Sequence, residues 1–123
     1  MDKHQALFSF WSSFGLPAFD QYSVPDKAPL PRITYEDATG SMGDVINLTA
    51  SLWYRDTGWA AISQKAQEIA DYIEAMYPMT LPLNTGRLLL TRGRPWDQRM
   101  NDPDDDGIRR VVLNVQAEFL TQS

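Results

Sequence analysis

Residues 101 to 110, NDPDDDGIRR, hold the densest set of chemically active side chains in this 123-residue sequence. Asp102, Asp104 and Asp106, followed by Gly107, match the first half of a calcium loop, D-x-D-x-D-G. A calcium ion takes about six to eight oxygens, and the full loop delivers a bidentate carboxylate from its twelfth position. Counted from Asp102, that position is Leu113, inside an alternating apolar run. Ile108 at the seventh position is permissible because only its carbonyl would ligate, while Pro103 is awkward within such a loop. Half a motif supplies half a coordination shell. A calcium- or magnesium-binding module, or a metal-dependent enzyme using Asp102–Asp106, is therefore an alternative reading, and none of these aspartates is assigned as a metal ligand.

The residues around the aspartates suggest a different chemistry. Six of the eight arginines fall between Arg87 and Arg110: Arg87, Arg92, Arg94, Arg99, Arg109 and Arg110. They bracket Asp97, Asp102, Asp104, Asp105 and Asp106. Arginine forms planar two-pronged bonds to carboxylates and tolerates burial at interfaces better than lysine. Trp96 stands among them with no periodic pattern to bury it in the domain's own core, as an interface anchor would. The expected subunit or partner interface is Arg92, Arg94, Trp96, Arg99, Asp102, Asp104, Asp105, Asp106, Arg109 and Arg110. The competing reading is a solvated loop that folds its own charges together, since exposed ion pairs are individually weak.

Other catalytic chemistries find little support. The chain has no cysteine, which excludes a thiolate nucleophile, a disulfide framework and a cysteine zinc site. Its one histidine, His4, has no partner that the sequence assigns and reads as a solvated side chain. Glu36–Asp37 and the aspartate cluster are the paired carboxylates, but a carboxylic acid needs burial to raise its pKa. No nucleophile elbow, phosphate loop or dinucleotide fingerprint is present. The expectation is no enzyme, no catalytic residue and no cofactor.

Composition bounds the remaining classes. A length of 123 residues suits one domain, 1–123, with a single core. A net charge of −5 argues against a dedicated nucleic-acid binder, which needs a basic face to displace counterions. No basic-then-apolar leader opens the sequence and no apolar run approaches the ~20 residues that span a bilayer, so a soluble intracellular product is expected.

The elements that would position these residues follow from periodicity. Residues 2–14 read as a helix, with Leu7, Phe10, Trp11 and Phe14 on one face, Asp2 near its start, and Gly15 and Pro17 ending it. Phe8 lies off that stripe, where it either widens the buried face or covers a neighbouring chain. The proline-rich stretch 16–31 is an extended connector with no helix or inner strand. Residues 32–37 alternate as a strand, 38–44 form a glycine-rich hairpin loop, and 45–55 alternate with Ile46, Leu48, Ala50, Leu52 and Tyr54 on one face. Asp56 or Thr57 caps a helix over 58–77 whose stripe is Trp59, Ile62, Ala66, Ile69, Ile73 and Met76. Residues 86–93 and 108–121 complete the strands, and 94–107 is a long charged hairpin loop. Loops of that length without internal structure are usually functional or disordered. The predicted fold is α+β: a small antiparallel or mixed β-sheet of about four strands packed by two helices, in the order α-β-β-α-β-β.

With that order in place, LTASLWYRDTGWAAISQKAQEIADYI in the middle and RGRPWDQRMNDPDDDGIRRVVLNVQAEF near the end resemble small tail-terminator or tail-completion proteins of long-tailed, siphovirus-type phages and prophages. The resemblance spans nearly the whole chain. It implies a small α/β sandwich whose copies form a homo-oligomeric ring, commonly a hexamer. That ring ends polymerisation of the tail tube protein and presents a surface to the head–tail connector or neck protein. Genomic DNA would pass through the lumen without specific binding, and no membrane is involved. The implied location is the virion tail or neck, after assembly in the host cytoplasm. The loops 38–44 and 94–107 would lie at subunit or tube contacts. Head-completion and neck connector proteins share the size and the ring symmetry, and are the alternative.

Overall fold

Three long periodic stretches become the centre of the molecule, and short strands that the pattern hides extend it on either side. The computed structural model describes residues 2–38, 45–102 and 104–121. In chain order the elements are α1 (Lys3–Ser12), β1 (Ala18–Asp20), β2 (Arg32–Tyr35), β3 (Val45–Arg55), α2 (Ala60–Ala75), β4 (Met79–Leu83), β5 (Gly86–Asn101) and β6 (Ile108–Thr121). The six strands form one sheet in the order β1-β2-β3-β6-β5-β4. Only the β1–β2 pair is parallel; the others are antiparallel. The sheet curls into a half-barrel. α1 packs against both β1 and β4, the two edges of the sheet, so one short helix bridges the opening that the curl leaves. α2 lies across β3, β6 and β5.

The predicted sheet of about four strands is therefore corrected to six. β1 sits inside the proline-rich connector and β4 directly follows Pro78, so both read as structureless. Both are short edge strands, where a proline such as Pro82 is tolerated because one side of the ladder is unpaired. β5 is the larger correction. It runs to Asn101, so residues 94–101 of the predicted loop are strand. The predicted 38–44 loop lies, beyond Ala38, outside the described residues, as does Pro103.

Alternation sets the inner face of the sheet. β3 and β6 pair without a break from Val45↔Glu118 to Arg55↔Ile108. Leu48, Ala50 and Leu52 from β3 meet Val111, Leu113, Val115, Ala117 and Phe119 from β6, all buried. Ile62, Ala66, Ile69 and Ile73 cover them from α2. Each fully buried aliphatic side chain contributes about 1.5–3 kcal/mol. α1 starts at a capping box, with Asp2 Oδ1 accepting from the Gln5 N–H at 2.8 Å and Gln5 Oε1 accepting from the Asp2 N–H at 3.1 Å. Its aromatic stripe stacks edge-on, Phe10 on Phe14 at 5.2 Å and Phe14 on Tyr72 of α2 at 5.5 Å. Gly15 ends the segment in the left-handed region at φ 82°, which a glycine adopts without Cβ strain.

Phe8 does not widen the buried face: it is 52% exposed. The cap of α2 also differs from expectation. Trp59 occupies the position and makes no side-chain cap bond. Asp56 instead closes the preceding turn, accepting from the Thr57 and Gly58 N–H groups.

Candidate functional site

The charged residues singled out by the sequence lie along the outer half of the β5–β6 hairpin, and a bulge decides where each one points. In β5, Arg92 pairs with Val115 and Asp97 with Leu113, so residues 93–96 oppose Asn114 alone. The count is even on one strand and odd on the other. Residues after the bulge therefore face the opposite side from the one simple alternation would give them. Gly93 permits the crossing, because a Cβ there would stand 2.7 Å from Asn114 Cβ and 2.8 Å from its carbonyl oxygen. Asn114 Nδ2 in turn donates to the Pro95 carbonyl at 2.9 Å. The bulge turns the Trp96 ring toward the core, where its Nε1–H donates to the Ala66 carbonyl of α2 at 3.1 Å. Trp96 is thus a partly buried packing residue in this chain, where the sequence suggests an exposed anchor.

Past the bulge, neighbouring arginines reach tryptophans on opposite faces. On the helix-covered face, Arg99 and Arg109 stack on the Trp59 ring at 5.0 and 5.4 Å. On the outer face, Arg110 and Arg32 stack on Trp53 at 4.7 and 5.6 Å. These distances lie within cation–π range, worth about 0.5–2 kcal/mol each depending on exposure. The Trp53 indole N–H also donates to Thr34 Oγ1 at 2.8 Å, and Arg110 Nε to Ser51 Oγ at 3.1 Å. Arg109 donates from Nη1 to the Asp106 carbonyl at 2.6 Å and from Nη2 to the Thr57 carbonyl at 3.0 Å. Two of these arginines, Arg32 and Arg109, keep a buried Nε without a hydrogen-bond partner.

The aspartates divide similarly. Asp102 Oδ1 accepts from the Asp104 N–H at 2.8 Å, and Asp105 Oδ1 from the Gly107 N–H at 2.8 Å. Asp105 Oδ2 also lies 3.1 Å from Arg55 Nη2. The Gly107 N–H, and after it the Arg55 guanidinium, hold the Asp105 carboxyl below its ordinary value. Among the described residues, no three carboxylate or imidazole side chains gather where they could share a cation. The carboxylates of Asp102 and Asp105 fold the loop itself. Arg92 bridges to Glu74 of α2 at 2.7 Å.

Between Arg92 and Arg110 this leaves a short set of charges with no intramolecular partner among the described residues: Arg94 on the bulge, the Asp97 carboxylate after it, and the Asp104 and Asp106 carboxylates at the tip. All four residues are exposed. Arg94 also lines two clefts, of about 360 and 390 Å³, one on each side of the bulge. His4 is not solitary. Its Nδ1 contacts the Asp37 carboxylate across 33 positions of sequence, joining α1 to the segment after β2. A separation of that length leaves no local signal.

A six-stranded mixed sheet, curled over two helices and ending in a charged hairpin, is the class of domain these observations define. A chain in the virion of a native gene transfer agent particle has this fold, with a TM-score of 0.68 over 94% of the present chain and 92% of that chain. The two sequences are 20% identical, so the likeness is one of fold. No protein-family model matches the chain, and no curated protein does. Neither helix among the described residues is long and apolar enough to cross a membrane.

Proposed function

We propose that this chain is a virion structural protein that assembles as a ring on the end of a phage tail tube, ending tube growth and joining the tail to the head connector. The observation that carries the reading is the fold shared, end to end, with a chain of a virion. The phrase-level resemblance to tail terminators narrows it to that role. In this reading the molecule acts by shape and contact, and its copies sit head to tail, a contact that closes into a ring when the rotation between copies permits. The net charge of −5 suits a lumen that lets DNA pass without holding it.

The interface set narrows with the geometry. Arg99, Arg109 and Arg110 hold tryptophans of their own chain, Arg92 holds Glu74, Trp96 packs inward, and Asp102 and Asp105 cap the loop. Arg94, Asp104 and Asp106 remain free to meet a neighbouring copy, the tube or the connector. Their neutral variants, Arg94→Gln with Asp104→Asn and Asp106→Asn, should keep the fold and lose attachment to tube ends in electron micrographs. Full attachment of the triple variant would remove the hairpin from the contact. Binding to the head connector alone, with tube ends left bare, would assign the chain to the neck.

A further inference from the structure

We propose that the cleft beside Arg94 on the outer face of the sheet is a binding site for a carboxylate side chain of a partner protein. The inference rests on the reading of the hairpin as a contact surface and names the chemistry that this surface takes.

The cleft has a volume of about 390 Å³, and Asn47, Arg92, Arg94, Gln98, Asn114 and Gln116 supply its polar lining. That lining holds four carboxamides and two guanidinium groups, and no carboxylate. The topology explains the composition. Asn47 lies directly opposite Gln116 across β3 and β6, and Asn114 shares their face because it is two residues from Gln116. Gln98 alternates with Asp97 and Arg99, which fall on the helix-covered face, where Arg99 meets Trp59. The bulge thus removes Asp97 from the side on which Arg94 lines this cleft.

The charge left over in the cleft sets the charge of its ligand. Arg92 Nε donates to Glu74 Oε1 at 2.7 Å, so the Arg92 charge is already balanced. Asn114 Nδ2 donates to the Pro95 carbonyl. Arg94, Asn47, Gln98 and Gln116 are exposed, and their side chains have no hydrogen-bond partner among the described residues. The cleft therefore offers one unbalanced positive charge beside three carboxamide N–H donors. A guanidinium gives a carboxylate two parallel N–H bonds, and the carboxamides can donate to its remaining lone pairs. One carboxylate balances Arg94. A phosphate monoester, at about −1.5 to −2, would leave excess negative charge beside Glu74 in a chain whose net charge is already −5. Nucleic acid needs a row of cations to displace its counterions, and this cleft has one to spare.

The free carboxylates at the tip of the same hairpin do not reach the cleft. Asp104 and Asp106 precede Ile108, which stands six residues before Asn114 on β6, about 20 Å along the strand. The carboxylate that fills the cleft therefore belongs to another molecule.

Titration of the ¹⁵N-labelled protein with an acidic peptide, followed by two-dimensional NMR, tests the site. The probe is the sequence of residues 101–107, NDPDDDG, acetylated and amidated. The Arg94 Nε–H and the side-chain amides of Asn47, Gln98 and Gln116 should shift along one saturable curve, which should weaken as salt is added. The same peptide with its four aspartates replaced by asparagine should cause no shift. Arg94→Gln should weaken binding by about 10- to 100-fold, the loss of one charge-assisted pair. Its backbone spectrum should otherwise match wild type, because Arg94 holds no other group of the described chain. Arg87→Gln, which removes an exposed arginine near the opposite end of β5, should leave binding unchanged. An unaltered wild-type spectrum, shifts that survive Arg94→Gln, equal shifts from the asparagine peptide, or tighter binding of inorganic phosphate than of the acidic peptide would each overturn the carboxylate site. Tube capping separates this result from the ring reading. Peptide binding by a protein that leaves tube ends bare keeps the site and removes the ring, and capped tubes without peptide binding do the reverse.

Discussion

The two arginine–tryptophan clusters at the end of the sheet use the same chemistry for different purposes. On the outer face, Trp53 of β3 lies between Arg32 and Arg110, its indole N–H reaches Thr34 on β2, and Arg110 of β6 reaches back to Ser51 on β3, so the cluster locks β2, β3 and β6 to one another. On the helix face, Trp59 is the residue that opens α2. Arg99 and Arg109 hold it, and Arg109 also reaches the carbonyls of Thr57 and Asp106. That cluster ties sheet, helix and loop together. One set of contacts stiffens a layer, and the other joins two layers. Arg109 and Arg110 are adjacent in sequence and serve opposite faces because strand side chains alternate.

Substitutions that strike the two clusters unequally test this difference. Trp59→Ala should be the most damaging, costing about 3 kcal/mol, because it loosens the helix start together with the hairpin. Trp53→Ala should cost about 1.5 kcal/mol, since its losses stay within one sheet. Urea unfolding of both variants checks the order, and a larger loss at Trp53 would reverse it. Gly93→Ala should cost about 1–2 kcal/mol by forcing apart the bulge and Asn114. It should disturb only the helix-face cluster, because the bulge is what brings Arg99 over Trp59. Tryptophan fluorescence in the single-tryptophan backgrounds should shift for Trp59 and hold for Trp53.

Arg109→Met and Arg110→Met should each cost about 1 kcal/mol, with Arg109 the larger because two carbonyls lose their donor. The smallest effect is set by pH. Asp105 is depressed in the folded state, so its contribution is present above the ordinary carboxylate value and disappears as pH falls through the depressed one. Asp105→Asn should flatten that part of the acid-stability profile, measured as the urea midpoint against pH. An unchanged profile would show that the loop does not depend on the carboxylate.

The centre of the fold is legible in the sequence. β3, α2 and β6 are long and periodic, and the apolar residues at their alternating and helical positions fall on the inner face, except Met76, which follows the last turn of α2 and is half exposed. β1 and β4 escape because strands of three and five residues carry almost no period and stand beside prolines. In β5 the pattern breaks at Gly93 and Pro95, which read as chain breakers. In the folded chain they form a bulge, and pairing with β6 resumes after it. That outcome is decided by a partner strand rather than by local preference.

The site is legible in composition and illegible in detail. The concentration of arginine and aspartate between residues 87 and 110 is real, yet which charges are already satisfied depends on Trp53 and Trp59, which stand in earlier elements of the chain. The half calcium motif shows the same limit. Asp102 and Asp105 each turn an oxygen toward a backbone N–H two residues on, a contact that a spacing pattern cannot distinguish from a ligand.

The most direct measurement is electron microscopy of the wild-type protein mixed with isolated tail tubes. A closed ring of identical copies on one end of each tube, with no further tube growth beyond it, is the expected image. Tubes that keep elongating with both ends bare, beside single subunits in the background, would contradict the assignment.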